Sequence, residues 1–129
     1  MNYTSAIIHQ IYEVLSFSIN QACKDKDCTD VKRDALAFGF TKVDLGVHNK
    51  EQSHEVYVLP VSSNIELNLI IKIEKLGHGL LNAIRYEFEF DLMSRQKIMM
   101  KHCNYYIEQF EIMGTKLIES FPKSKLNYV

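Results

Sequence analysis

The sequence lacks most of the features that would announce a function. It has almost no net charge: 15 basic residues against 16 acidic ones leave −1. There is therefore no bulk electrostatic pull toward nucleic acid or an acidic membrane. No apolar run approaches the roughly 20 residues that cross a bilayer. Prolines number two and glycines five, and no Pro/Gly/Ser linker, low-complexity tract or internal repeat divides the chain. The cysteines, Cys23, Cys28 and Cys103, are odd in number, and Met1-Asn2-Tyr3 opens no signal-peptide pattern. Together these point to a reducing compartment and a cytoplasmic protein. Signatures of catalysis are missing too. There is no G-x-S-x-G elbow, Walker loop or dinucleotide fingerprint, and no pair of histidines at (i, i+4) spacing. No cofactor is expected.

What remains is enough chain and pattern for one domain. The 129 residues are 47% hydrophobic and 24% charged, ordinary values for a chain that buries roughly two-thirds of its unfolded surface. Residues 1–129 therefore read as a single α+β domain. Thr4 or Ser5 caps a helix running from about Ser5 to Cys23. Its apolar stripe is Ile7, Ile8, Ile11, Val14, Leu15, Ile19 and Ala22, with Phe17 outside it.

The segment "TDVKRDALAFG" carries two patterns. Thr29 and Gly39 bracket a short helix, while Leu36, Phe38 and Phe40 alternate as a strand does. The favoured reading is a helical turn followed by a strand from about Phe40 to Val47. In that strand Val43, Leu45 and Val47 face inward, and Lys42 and Asp44 outward. "EVYVLPV" is the next strand, and Pro60 marks an edge, an end or a bulge. Ile65, Leu67, Leu69, Ile71 and Ile73 form the inner face of a third. "LGHGLLN" turns the chain into "AIRYEFEF", with Tyr86, Phe88 and Phe90 inward and Arg85, Glu87 and Glu89 outward.

Asp91 or Ser94 is then expected to cap a long helix ending near Ser120, because Pro122 forbids its continuation. The expected fold is a four-stranded antiparallel meander with an N-terminal helix and a long C-terminal helix packed on one face. On a helical wheel, the main face of the second helix holds Leu92, Met99, Met100, Cys103, Tyr106, Ile107, Phe110, Leu117, Ile118 and Phe121. A second line, Ile98, Tyr105 and Ile112, repeats every seven residues nearly opposite, bordered by Lys101, His102 and Gln109. Either the rest of the chain covers this line, or it is a contact surface for a second copy or a foreign protein.

Other candidates are weaker. Cys23 and Cys28 are separated by four residues, but a second ligand pair would have to come from His102 and Cys103. These are adjacent and diverge on a helix, so no metal site is expected. Gly77 and Gly79 read as hairpin residues with His78 at the tip. Tyr57, His78 and Arg85 would supply the polar groups if a pocket between sheet and helix bound or hydrolysed a small ligand. Arg95, Lys97, Lys101, Lys116, Lys123 and Lys125 would serve nucleic-acid binding, diluted by Glu108, Glu111 and Glu119. The sequence therefore favours a non-catalytic protein-binding module, such as a small inhibitor, immunity protein or chaperone-like adaptor. Small-ligand binding or hydrolysis comes second and nucleic acid third. No membrane role is expected.

Overall fold

A computed structural model of the chain describes residues 4–43, 52–78 and 81–111. Two helices, α1 (Ser5–Asp25) and α2 (Thr29–Ala37), precede five strands: β1 (Thr41–Val43), β2 (Gln52–Pro60), β3 (Ile65–His78), β4 (Leu81–Ser94) and β5 (Lys97–Glu111). The strands form one antiparallel sheet in chain order. Both helices lie on the same face of that sheet. No helix among the described residues is long and apolar enough to cross a membrane.

The N-terminus of α1 is closed by Thr4, whose hydroxyl accepts from the Ile7 N–H at 3.2 Å. Ile8, Ile11, Tyr12, Leu15, Ile19 and Ala22 are buried on its inner stripe, while Ile7 and Val14 at the margin are exposed. The ambiguous segment after it is helical. The Asp27 carboxylate accepts from both the Thr29 N–H (3.0 Å) and its hydroxyl (2.7 Å), so Asp27 supplies the capping acceptor expected of Thr29. The Ser18 hydroxyl donates to Asp34 at 2.8 Å and joins the two helices. Gly39, at φ 99°, takes the left-handed turn that a side chain would resist. The chain then enters β1.

The expected facing of β1 is reversed. Phe40 is buried and its ring lies 6.2 Å from that of Phe90. With Phe40 inward, period-two alternation carries Lys42 inward as well, where its Nζ lies 3.5 Å from Glu55. Val43 falls on the outer face, 38% exposed. Leu45 and Val47 lie outside the described residues. Pro60 ends β2, where its missing N–H costs the ladder least.

The two long central strands follow their alternation. Leu67, Leu69, Ile71 and Ile73 of β3 and Tyr86, Phe88 and Phe90 of β4 are buried under the helices. Each such side chain contributes roughly 1.5–3 kcal/mol before its lost entropy is counted. Tyr12 of α1 stacks on Phe90 with ring centroids 4.9 Å apart, and its hydroxyl donates to the Phe90 carbonyl at 3.4 Å.

Among the described residues the expected long C-terminal helix is replaced by a strand, and the expected four-stranded meander has five strands. Ser94 ends β4 instead of capping a helix. Arg95 (φ 51°) and Gln96 (φ 67°) form the turn, and β5 runs back along β4 from Lys97 to Glu111. Positive φ at both central residues is the type I′ geometry whose twist matches a two-residue hairpin. Its usual Asn-Gly signature is absent, which hides the turn. Lys116, Leu117, Ile118, Phe121, Lys123 and Lys125, together with Ile112, lie outside the described residues.

Candidate functional site

In a two-residue hairpin the flanking residues, here Ser94 and Lys97, exchange backbone hydrogen bonds. Leu92 then pairs with Met100 and Met93 with Ile98, so Met99 is an extra residue that forms a bulge. Beyond it the alternation is regular. His102, Asn104, Tyr106 and Glu108 face the helices and turn their amides toward β4. Lys101, Cys103, Tyr105, Ile107 and Gln109 face outward and turn their amides toward the free edge. The bond made by Tyr105 agrees: its N–H donates to the side-chain oxygen of Asn104 at 2.9 Å. Among the described residues no strand pairs with the far edge of β5.

The structure thus brings Ile98, Lys101, Tyr105 and Gln109 onto one outer surface, although of a strand and not of a helix. Seven residues is an odd step, which would split Ile98 and Tyr105 between the faces of a regular strand. The Met99 bulge returns them to the same one. Ile98 is 48% exposed, Met99 63% and Tyr105 51%. His102 points the other way. Its Nε2 lies 2.9 Å from Asn20 Oδ1, and Asn104 Nδ2 donates to the same oxygen at 3.0 Å. These contacts fasten β5 to α1, and burial lowers the pKa of His102.

Beside β5, the outward residues of β4 form an acidic ridge of Glu87, Glu89 and Asp91. Lys72 reaches Glu87 (3.6 Å) and Glu89 (3.9 Å), and Lys101 reaches Glu89 (3.7 Å). Arg85 bonds Glu87 at 2.9 Å and lies over the Tyr105 ring, 4.3 Å from its centroid. Such half-exposed pairs are worth roughly 0–1 kcal/mol each. Asp91 differs, being only 3% exposed. Burial, and next a hydrogen bond with Glu89 and the Glu89 charge, push its carboxyl up to about 6, against Lys101 and Lys72. Asp91 Oδ1 and Asn68 Oδ1, on residues that face each other across β3 and β4, are both buried without a hydrogen-bond partner. Sequence reasoning missed this role because Asp91 was read as a helix cap.

A second polar cluster, also missed, lies under the helices. Lys32 of α2 bonds Glu55 of β2 at 3.1 Å, both buried, and the Tyr57 hydroxyl donates to Glu55 at 2.7 Å. Cys28 sits one turn before Lys32 and beside the Tyr106 hydroxyl; burial raises its thiol, just as it lowers Lys32 and raises Tyr106. Cys23 is pushed to about 11 by burial. A thiol held protonated is a poor nucleophile. The cluster therefore anchors α2 to the sheet. The only sequence signal for it was the alternation of Ser53, Glu55 and Tyr57, all on one side of β2 and all now buried.

The three residues named for a ligand pocket are not brought together. Tyr57 is on the helix-covered face and Arg85 on the open one, and the side chain of His78 lies outside the described residues. Arg85 lines a small hollow of about 60 Å³ with His54, Lys72 and Glu87. A larger open groove, about 500 Å³, lies between two turns and is lined by Ser62, Asn64, Met93 and Arg95, among others. Among the described residues no group of three or more His, Cys, Asp or Glu is placed to hold a metal ion. Comparison with protein-family models, with curated proteins and with solved structures returned no match.

Proposed function

We propose that this protein works by contact with another protein, without catalysis, and that the contact is made along β5 and the outer sheet face next to it. The observation that carries the reading is the far edge of β5, with which no strand among the described residues pairs. It spans Lys97–Glu111, with Ile98, Met99 and Tyr105 exposed beside it. Unpaired amides in a row are a template for another strand, and proteins normally shorten or cover such an edge. Contact of this kind suits a small inhibitor, an immunity protein or a chaperone-like adaptor. Cys23, Cys28 and Cys103 are free thiols, which supports a reducing, cytoplasmic setting.

The test is photo-crosslinking. A photoreactive amino acid is placed at position 105 in one variant and at position 17 on exposed Phe17 of α1 (66% exposed) in another. Each is irradiated in extract of the source cell. Position 105 is expected to give discrete protein adducts, of two copies or of a copy with another protein, and position 17 none. Equal labelling from both positions, or none from 105, would overturn the reading.

A further inference from the structure

We infer that the partner at the β5 edge is a second copy of this chain, the two β5 strands pairing antiparallel about a two-fold axis near Asn104. This rests on the contact reading above and names its partner. Three observations carry it.

The first is the length of the edge. β5 runs from Lys97 to Glu111, and among the described residues no strand pairs with its far side. An edge of that length left open is a template for another strand.

The second is which amides face the outer edge. Cys103, Tyr105, Ile107 and Gln109 share the free edge, and they fall on both sides of Asn104. An antiparallel two-fold pairing sets Cys103 against Tyr105, and Lys101 against Ile107, with each pair exchanging hydrogen bonds in both directions. In the lone chain the Asn104 side chain satisfies the Tyr105 N–H. Rotation of that side chain releases the N–H to the partner strand.

The third is charge order. Along β5, basic Lys97 near the start and acidic Glu108 near the end lie on the same, helix-facing side. Antiparallel self-pairing lays the basic start of one strand along the acidic end of the other. A parallel arrangement would align like charges. A foreign strand would need no such internal order.

The experiment is light scattering of the purified full chain over a dilution series, at low and high salt. The expected result is a dimer at high concentration that dissociates on dilution, and earlier at high salt. Ile107→Pro removes one free-edge N–H and leaves the ladder to β4 intact, so it is expected to be a folded monomer. If that variant fails to fold, charge reversal decides. Lys97→Glu is expected to weaken the dimer about tenfold, and adding Glu108→Lys to the same chain to restore it. Both positions lie on the helix-facing side of β5, and within one strand they stand roughly 33 Å apart, so restoration reports a contact between chains. A monomer at every concentration, or a dimer indifferent to these changes, would overturn the inference. Should the monomer still give adducts of another mass from position 105, only the second copy falls and the contact reading stands. If it gives none, both fall.

Discussion

The two faces of β4 are made from alternate residues of one strand and have opposite fates. Tyr86, Phe88 and Phe90 point under the helices and are fully buried, while Arg85, Glu87 and Glu89 point out and stay partly exposed. The inner face is a sealed core; the outer face is a charged surface that continues onto β5. On the proposed reading, stability and contact are divided between the faces of one sheet. A substitution should therefore read out as one or the other according to its parity.

The largest effect is expected inside. Phe88→Ala should cost about 3–5 kcal/mol, measured by urea unfolding, since it leaves a cavity between sheet and helices. A loss below about 1 kcal/mol would mean that the inner face is not the core. Next is the buried pair. Glu55→Leu strands the Lys32 ammonium and should cost about 3 kcal/mol, whereas Lys32→Met combined with Glu55→Leu should recover most of that, because a buried ion pair scarcely outdoes apolar packing. Failure of the double variant to recover would show that the pair does more than anchor α2.

Asp91 is the exception on the outer face, and pH exposes it. Its folded pKa of about 6 lies above the usual carboxylate value near 3.9, so the folded state holds the proton more tightly. Its contribution therefore favours folding at low pH and is lost as pH rises through about 6. Asp91→Asn should stabilise the protein by on the order of 1–3 kcal/mol at pH 7.5 and by almost nothing near pH 4. His102 acts with the opposite sign. Its lowered pKa makes the unfolded state gain a proton first as pH falls below the usual histidine value. The difference between wild type and Asp91→Asn isolates the carboxyl. A gain that grew toward low pH would contradict the assignment.

Two smaller effects complete the contrast. Replacing Arg95-Gln96 by Asn-Gly should stabilise the hairpin by about 1–2 kcal/mol, since two ordinary residues now sit in left-handed conformations. Tyr105→Lys should change unfolding free energy by no more than about 1 kcal/mol, the scale of its exposed contact with Arg85, yet abolish association. If it unfolded the protein instead, Tyr105 would belong to the core and the division between the faces would fail.

Legibility in the sequence followed the same physics. β3 and β4 could be read because their alternation is strict and a one-residue slip would bury charge. α1 could be read because its apolar stripe and its Thr4 cap agree. β5 could not, for two reasons. The Arg95-Gln96 turn carries no glycine or asparagine, and the Met99 bulge converts an alternating strand into a run whose apolar spacing resembles a helix. Ile98, Lys101, Tyr105 and Gln109 were grouped on a helix that does not form; they share an outer face of the strand only because the Met99 bulge makes a seven-residue step keep the same side. His102 was misgrouped since only the strand turns it toward Asn20. The facing of β1 was missed because it depends on where Phe40 lands, a tertiary choice that the three residues of β1 do not encode.

The central claim is that the β5 edge is open in one chain and closed by another. Amide hydrogen exchange, resolved by residue at low and high protein concentration, tests it most directly. The account predicts slow exchange at Asn104 and Tyr106 throughout, because their amides face β4. At Cys103 and Ile107 it predicts fast exchange in the dilute monomer, slowing as the dimer forms. Protection of Cys103 and Ile107 at every dilution would show that the chain covers its own edge, and would contradict the account.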